Sequence, residues 1–356
     1  MDGDLEPGRW AVGLDIGGTK VLGVLVDLYA RVPEVRHTVR LPTVRGCEGV
    51  VASASAVVEA LAAAAGIPVT RLRAVGVGVP GVVDPESGEV SHAVNLGITG
   101  TVRLGALLSA RLQDAPVRVD NDLNVAALGA ARVRAARLAL VGVARGGGRG
   151  LGGGADDPVT NRARSDADLA YLSLGTGVAA GLLLDGSVRR GARGAAGEIG
   201  HVPVVPDGLA CPCGQRGCLE RYASGAALDV AWPSHSGRPS PVELFAAAAD
   251  GDPAAVAVRD GFAAAVAAAV RLLILTCDVD RVVIGGGVSG VGAPLLRAVR
   301  EALAEQAARS PFLRSMAMAD RVELAPQDVP VAAIGAALLC AAVSRGTPAE
   351  DVGTGA

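Results

Sequence analysis

Three cysteines, Cys211, Cys213 and Cys218, fall within one short segment of a chain that has six in all, and His201 lies a little upstream on a separate segment. One imidazole and three thiolates make a closed tetrahedral zinc site, and Gly214 and Gly217 permit the tight turns that would converge the sulfurs. The competing reading is three unrelated buried thiols. A closed site is structural: the metal would stiffen the loop and fix the ring of His201, leaving its other nitrogen for a polar partner. Glu198 and Glu220 flank the same loop. A glutamate is ordinarily a solvated surface group, but two carboxylates and an imidazole tied to a stiffened loop suit a grip on hydroxyl groups.

A further carboxylate stands apart. Asp122 follows Asn121 at the junction of a short strand (116–122) and an apolar helix expected from about residue 123. It can cap that helix. It can equally serve as the base that accepts the proton of an attacking hydroxyl in phosphoryl transfer.

The elements that must position these groups are legible in outline. Trp10 to Leu28 reads as strand, Gly-rich turn, strand, and the pattern returns later: LDIGGTKVLGVLVD (14–27) and LSLGTGVAAGLLLD (172–185) agree at five positions, including Gly17/Gly175 and Gly23/Gly181. This internal repeat predicts two related α/β halves. Two turns rich in backbone N–H groups, bearing Thr19 and Thr176, suit an anionic phosphate chain, although each alone reads equally as an ordinary hairpin. A helix over 49–65, a buried strand over 72–80, a long Ala-rich helix over about 254–276, a strand over 280–287 and a last apolar helix follow. GGGVSG (285–290) matches the dinucleotide pattern, but only weakly, with no acidic partner in a second βαβ unit. The expected domains are 1–140, completed by the C-terminal helix 331–345, and 141–330, which contains a Gly/Arg-rich loop (142–166) and the zinc loop (201–218).

Composition bounds the function. The chain has 356 residues, half of them hydrophobic, and a formal net charge of -3, which provides ample core and no basic footprint for nucleic acid or a membrane surface. The acidic N-terminus lacks a secretory pattern, and the most apolar run (261–270) is interrupted at Arg271, so a cytoplasmic protein is expected. Lys20 is the single lysine among 33 basic residues and follows GGT directly. It is either a chance survivor of drift toward Arg or a position where a compact ammonium fits beside a crowded phosphate turn and a forked guanidinium would not.

Taken together, the motifs resemble the ROK family of sugar kinases and sugar-responsive regulators: DIGGTK (15–20), VGVPGVVD (77–84), VDNDLNVAALG (119–129), LSLGTG (172–177), GEIGH (197–201), CPCGQRGCLE (211–220) and IGGGVS (284–289). The resemblance implies a two-lobed actin/hexokinase-like (ribonuclease-H-like) α/β ATPase fold with a structural zinc loop. It implies Asp122 as catalytic base; Gly81, Asn121, Glu198, His201 and Glu220 at the sugar; Asp15, Gly17, Gly18, Thr19 and Lys20 at one phosphate turn; and Gly175, Thr176 and Gly177 at the other. Asp15 would serve magnesium, Gly286 and Gly287 the adenosine side, and His201, Cys211, Cys213 and Cys218 the zinc. Three departures stand out: Ala179 and Ala180 replace glycines common in the family, the segment after Asn95 lacks a Trp common there, and the Gly/Arg-rich loop at 142–166 is longer than the usual connection.

The activity so implied is ATP- and Mg2+-dependent phosphorylation of a hexose, first of all glucose to glucose 6-phosphate, by a homo-oligomer (dimer or tetramer). N-acetylmannosamine or N-acetylglucosamine kinase is the alternative. A non-catalytic ROK-type sugar-sensing regulator is the alternative of another class. The intact Asp122 and both turns favour catalysis, and a first strand at Trp10 leaves no room ahead of it for a winged helix. A zinc-ribbon interaction module fits poorly with a cluster embedded in so long a chain.

Overall fold

The computed structural model describes residues 8–30, 34–144 and 168–342. The chain divides into two compact units, the first running to Asp120 and resuming at Ala336, the second running from Asn121 to Gly335.

In the first unit, β1 (Trp10–Ile16) and β2 (Lys20–Asp27) form the hairpin around the GGT turn, followed by β3 (Glu34–Pro42), α1 (Cys47–Ala64), β4 (Val75–Val79), a small hairpin of β5 (Val82–Asp84) and β6 (Glu89–Ser91), α2 (Leu104–Arg111) and β7 (Val117–Asn121). The five-stranded sheet has the order β3-β2-β1-β4-β7. The run WAVGLDI is almost wholly buried because the sheet is covered, and α1 turns Val50, Ala54, Val57, Val58 and Leu61 inward at helical spacing.

The second unit opens with α3 (Asp122–Ala144), then β8 (Leu169–Leu174), β9 (Val178–Leu184), β10 (Ser187–Val188), α4 (Glu220–Ala223), α5 (Gly225–Ala231), α6 (Ser240–Ala249) and α7 (Pro253–Cys277). It continues with β11 (Arg281–Gly285), α8 (Ala293–Ala307), α9 (Pro311–Ser315), β12 (Val322–Leu324) and α10 (Val331–Leu339), the last helix crossing the unit boundary. Its sheet order, β10-β9-β8-β11-β12, repeats that of the first unit position by position. In both sheets the hairpin strands are antiparallel, and the first of them pairs in parallel with the next strand inward. The repeat in the sequence is thus a repeat of topology. The two turns nevertheless differ: residues 17–20 separate the paired Ile16 and Val21, whereas only 175–177 separate Leu174 and Val178.

Three expectations shift. The helix after β7, read as part of a first domain ending at residue 140, packs on β8 and β9 and belongs to the second unit. Chain order suggested the first; backbone contact decides the second. The loop expected over 142–166 begins later, since α3 runs to Ala144, and its remainder lies outside the described residues. Arg271 does not interrupt α7: that helix and α1 are each long and apolar enough to cross a membrane by length and composition. Yet α7 sets Phe262, Val266, Val270, Leu273 and Ile274 in the core of the second unit, as a core helix does.

The contact between α3 and β9 depends on Gly181, where a Cβ would overlap the carbonyl oxygen of Leu123. Backbone cannot yield to backbone as a side-chain end can. Gly181→Ala should cost about 2–4 kcal/mol of stability in chemical denaturation; a loss below about 0.5 kcal/mol would show that the helix retreats freely.

Candidate active site

Strand β9 gathers the candidate residues of the second unit. At Gly181 it receives the first turn of α3, and with it Asn121 and Asp122. At Ala180 its N–H donates to the carbonyl of Gly197 (2.8 Å), and a Cβ on Gly197 would overlap the Ala180 carbonyl oxygen. At Val178 its carbonyl lies against Gly200, where a Cβ would again overlap, and its N–H donates to Glu220 Oε2 (3.1 Å). The G-E-I-G-H segment is therefore pressed onto the strand at both glycines, which seats Glu198 and, at the end of a short 3-10 turn, His201. Asn121, Asp122, Glu198, His201 and Glu220 are brought to one strand. Ala179 and Ala180 belong to β9 itself, past the turn.

At the start of α3 the cap is Asn121, not Asp122. Its Oδ1 accepts from the N–H groups of Leu123 (2.9 Å) and Asn124 (3.4 Å), the second and third helical residues. Asp122, expected in the preceding turn, is the first helical residue, and its Oδ1 also accepts the Leu123 N–H (3.0 Å).

The metal-ligand set converges. The donor atoms of His201, Cys211, Cys213 and Cys218 all lie within 4.8 Å of one another. Cys213 Sγ and Cys218 Sγ are 3.7 Å apart, close to the ~3.8 Å edge of a tetrahedron with metal–sulfur bonds of about 2.3 Å. His201 presents Nδ1 to Cys211 Sγ at 4.0 Å, so Nε2 is the nitrogen turned from the cluster. The backbone and side-chain N–H groups of Gln215 hold the Cys213 thiol down at about 6, while burial and then the neighbouring thiols push Cys218 up to about 12. A cation among sulfurs this close would favour their thiolate forms, which is the electrostatic demand of a metal site. The soft, compact donor set fits a tetrahedral metal ion.

The second turn is held from the same direction. Gly175 N–H donates to Gly177 (3.1 Å), and the Gly175 carbonyl accepts from Gly225 at the start of α5 (2.7 Å). Gly286, in the left-handed region, abuts the backbone of Leu174 just before that turn, and Gly287 is open around its Cα. Within GGGVSG the chain already forms a 3-10 turn (Gly287–Val291), and an α-helix begins only at Ala293, which removes the dinucleotide reading, since that needs a helix N-terminus at the last glycine.

The first unit carries the other turn. Gly17 N–H donates to the Lys20 carbonyl (2.9 Å), Gly18 rests beneath the Asn95 carbonyl, and the side chains of Thr19 and Lys20 are exposed. Burial pushes the Asp15 carboxyl above the usual range, and the Lys20 ammonium opposes that shift. Gly81 stands between β4 and β5 at φ 106°, packed on the backbone of Ser91 and Ala93.

Three supporting residues were not singled out by the sequence. Thr43 clamps the first turn, its Oγ1 donating to Gly17 O (2.7 Å) and its N–H to Thr19 O (3.1 Å). Tyr222 accepts the Leu209 N–H through its hydroxyl (2.8 Å), and Gln215 Nε2 donates to the His201 carbonyl (3.2 Å). Each reaches across a chain separation with no periodic pattern.

The ROK family model matches residues 11–156 and 158–343. The chain belongs to the ROK family. It is 30% identical over 316 residues to a glucokinase of Halalkalibacterium halodurans, covering 82% of this chain and 84% of that protein. It is 33% identical over 292 residues to an N-acetyl-D-glucosamine kinase of Citrobacter koseri, covering 79% and 85%. Among solved structures, a ROK glucokinase of Streptomyces griseus in complex with glucose and AMPPNP matches with a TM-score of 0.67 and 29% identity, covering 93% of this chain and 98% of that one. The fold is accordingly the two-lobed, actin-like fold of the ROK sugar kinases.

If Asn121 carries the cap, Asn121→Ala should lower stability by about 1 kcal/mol in urea denaturation while Asp122→Ala leaves it nearly unchanged; the reverse order would return the capping role to Asp122.

Proposed function

We propose that this protein is an ATP-dependent hexose kinase that converts glucose to glucose 6-phosphate, with Asp122 as the general base. The observation that carries the reading is the convergence of Asn121, Asp122, Glu198, His201 and Glu220 on β9, the strand that follows the Gly175–Gly177 turn. The sugar kinase class is what the named relatives share.

The chemistry follows from the groups present. Glu198, Glu220, His201 Nε2 and Asn121 hold sugar hydroxyls, with Gly81 supplying backbone. Asp122 accepts the proton of the hydroxyl that attacks the γ-phosphorus of ATP, and ADP departs with the electrons of the broken P–O bond. The turns at Gly17–Lys20 and Gly175–Gly177 offer N–H groups to phosphate oxygens, Gly286 and Gly287 face the adenosine, and Lys20 adds a compact positive charge. Asp15 would hold magnesium or its waters; bound magnesium neutralises phosphate charge. His201, Cys211, Cys213 and Cys218 would hold zinc, which stiffens the loop and orients the His201 ring without entering the reaction.

A second reading, an N-acetylhexosamine kinase, is favoured by a relative of that name at comparable identity. ADP release measured across glucose, mannose, fructose, N-acetylglucosamine and N-acetylmannosamine separates the two. Glucose is expected to give the highest kcat/KM, and preference for an acetylated sugar would move the assignment to the second reading. Asp122→Asn should reduce turnover by at least about 10²-fold while sugar binding stays measurable; turnover close to that of the unmutated protein would remove Asp122 as the base. Metal analysis should find about one zinc per chain, lost in Cys213→Ser together with sugar affinity. A folded, metal-free native protein with full sugar affinity would refute the zinc assignment.

A further inference from the structure

We infer that Glu220 is a positioning residue for the Gly175–Gly177 turn as well as a sugar ligand, so that sugar and nucleotide affinities are coupled through one carboxylate. The inference rests on the sugar and phosphate roles proposed above and adds a link between them.

Glu220 Oε2 accepts the N–H of Val178, the residue that closes the turn, at 3.1 Å. Gly177 packs against the same group: a Cβ there would overlap Oε2 and stand 3.3 Å from Cδ. Five residues on, the Gly225 N–H donates to the Gly175 carbonyl at 2.7 Å, so the segment 220–225 holds the turn at both ends. That segment is short and firm. Ser224 caps α5 through its Oγ, which accepts the Ala227 N–H at 3.0 Å, and the chain leaves Cys218 of the metal cluster only two residues before Glu220.

A hydroxyl bound at Glu220 draws on the charge and orientation of a carboxylate that already anchors a phosphate turn. Sugar binding therefore sets the angle of the acceptor for the Val178 N–H, and with it the conformation of the turn. Linkage makes the effect reciprocal: whatever factor sugar applies to nucleotide affinity, nucleotide applies to sugar affinity. The coupling also runs from the turn side, whose residues are assigned to phosphate and not to sugar.

That direction supplies the test. Gly177→Ala lies in the phosphate turn, and its added methyl meets the far end of the Glu220 side chain rather than backbone, so the fold can be kept while the carboxylate is displaced. Calorimetric titration, without nucleotide, of whichever of the five sugars the unmutated protein binds best is expected to show binding about tenfold weaker in Gly177→Ala, within the usual range of coupling between sites. An unchanged dissociation constant overturns the inference while leaving the kinase reading intact. Hydrogen exchange in the unmutated protein guards against a variant that fails to fold. Sugar alone should slow exchange across residues 174–181, and exchange indifferent to sugar overturns the inference equally. If the unmutated protein binds none of the five sugars, the proposed function itself fails, and the inference falls with it.

Discussion

The second unit depends on backbone meeting backbone along β9. At Gly181 the strand lies against the first turn of α3, and at Ala180 and Val178 it lies against Gly197 and Gly200 of the segment that carries Glu198 and His201. No side chain mediates these contacts, so no side chain can relax to accommodate an added methyl group. Close packing of this kind has one solution rather than a family of similar ones. It fixes the starting points of the candidate carboxylates and imidazole relative to a common strand, which is the precision that positioning chemistry requires.

The metal loop provides a second constraint by a different physical means. Around Cys211, Cys213 and Cys218 there is little apolar material to hold a long irregular segment, and Val202, Val204, Val205 and Leu209 are substantially exposed. Order comes from donor convergence instead, supported by Gln215 and by the hydroxyl of Tyr222. Two of the three sulfurs are buried, and a bound cation would relieve their mutual repulsion as thiolates. Packing governs β9 and electrostatics governs the loop; Glu220, on α4, stands where the two regimes meet.

The duplicated sheet shows how one scaffold yields unlike sites. Both units present a glycine turn after a buried strand, in sheets of the same order. In the first, Thr43 and the Asn95 segment surround the turn, and Lys20 lies at its exit. In the second, the turn is one residue shorter and is bracketed by Glu220 and Gly225. The same hairpin thus acquires a cationic exit in one unit and a carboxylate-anchored one in the other.

Much of this was legible along the chain because it depends on local chemistry. The repeat, the cysteine cluster with His201, the glycine turns and the strand and helix periods follow from residue type and spacing, and so did the family. What spacing could not assign were interactions between distant segments. Asn121 rather than Asp122 caps α3, because the choice turns on which side chain reaches two free N–H groups. The helix after β7 belongs with the second unit, because its partner strand lies some sixty residues on. Thr43, Tyr222 and the anchoring of Glu220 to Val178 appear only in three dimensions. The sequence by itself determined which groups are available and which turns can form. The tertiary structure decided which groups meet, because a hydrogen bond or a close backbone approach is a property of distance in space and leaves no period in the chain.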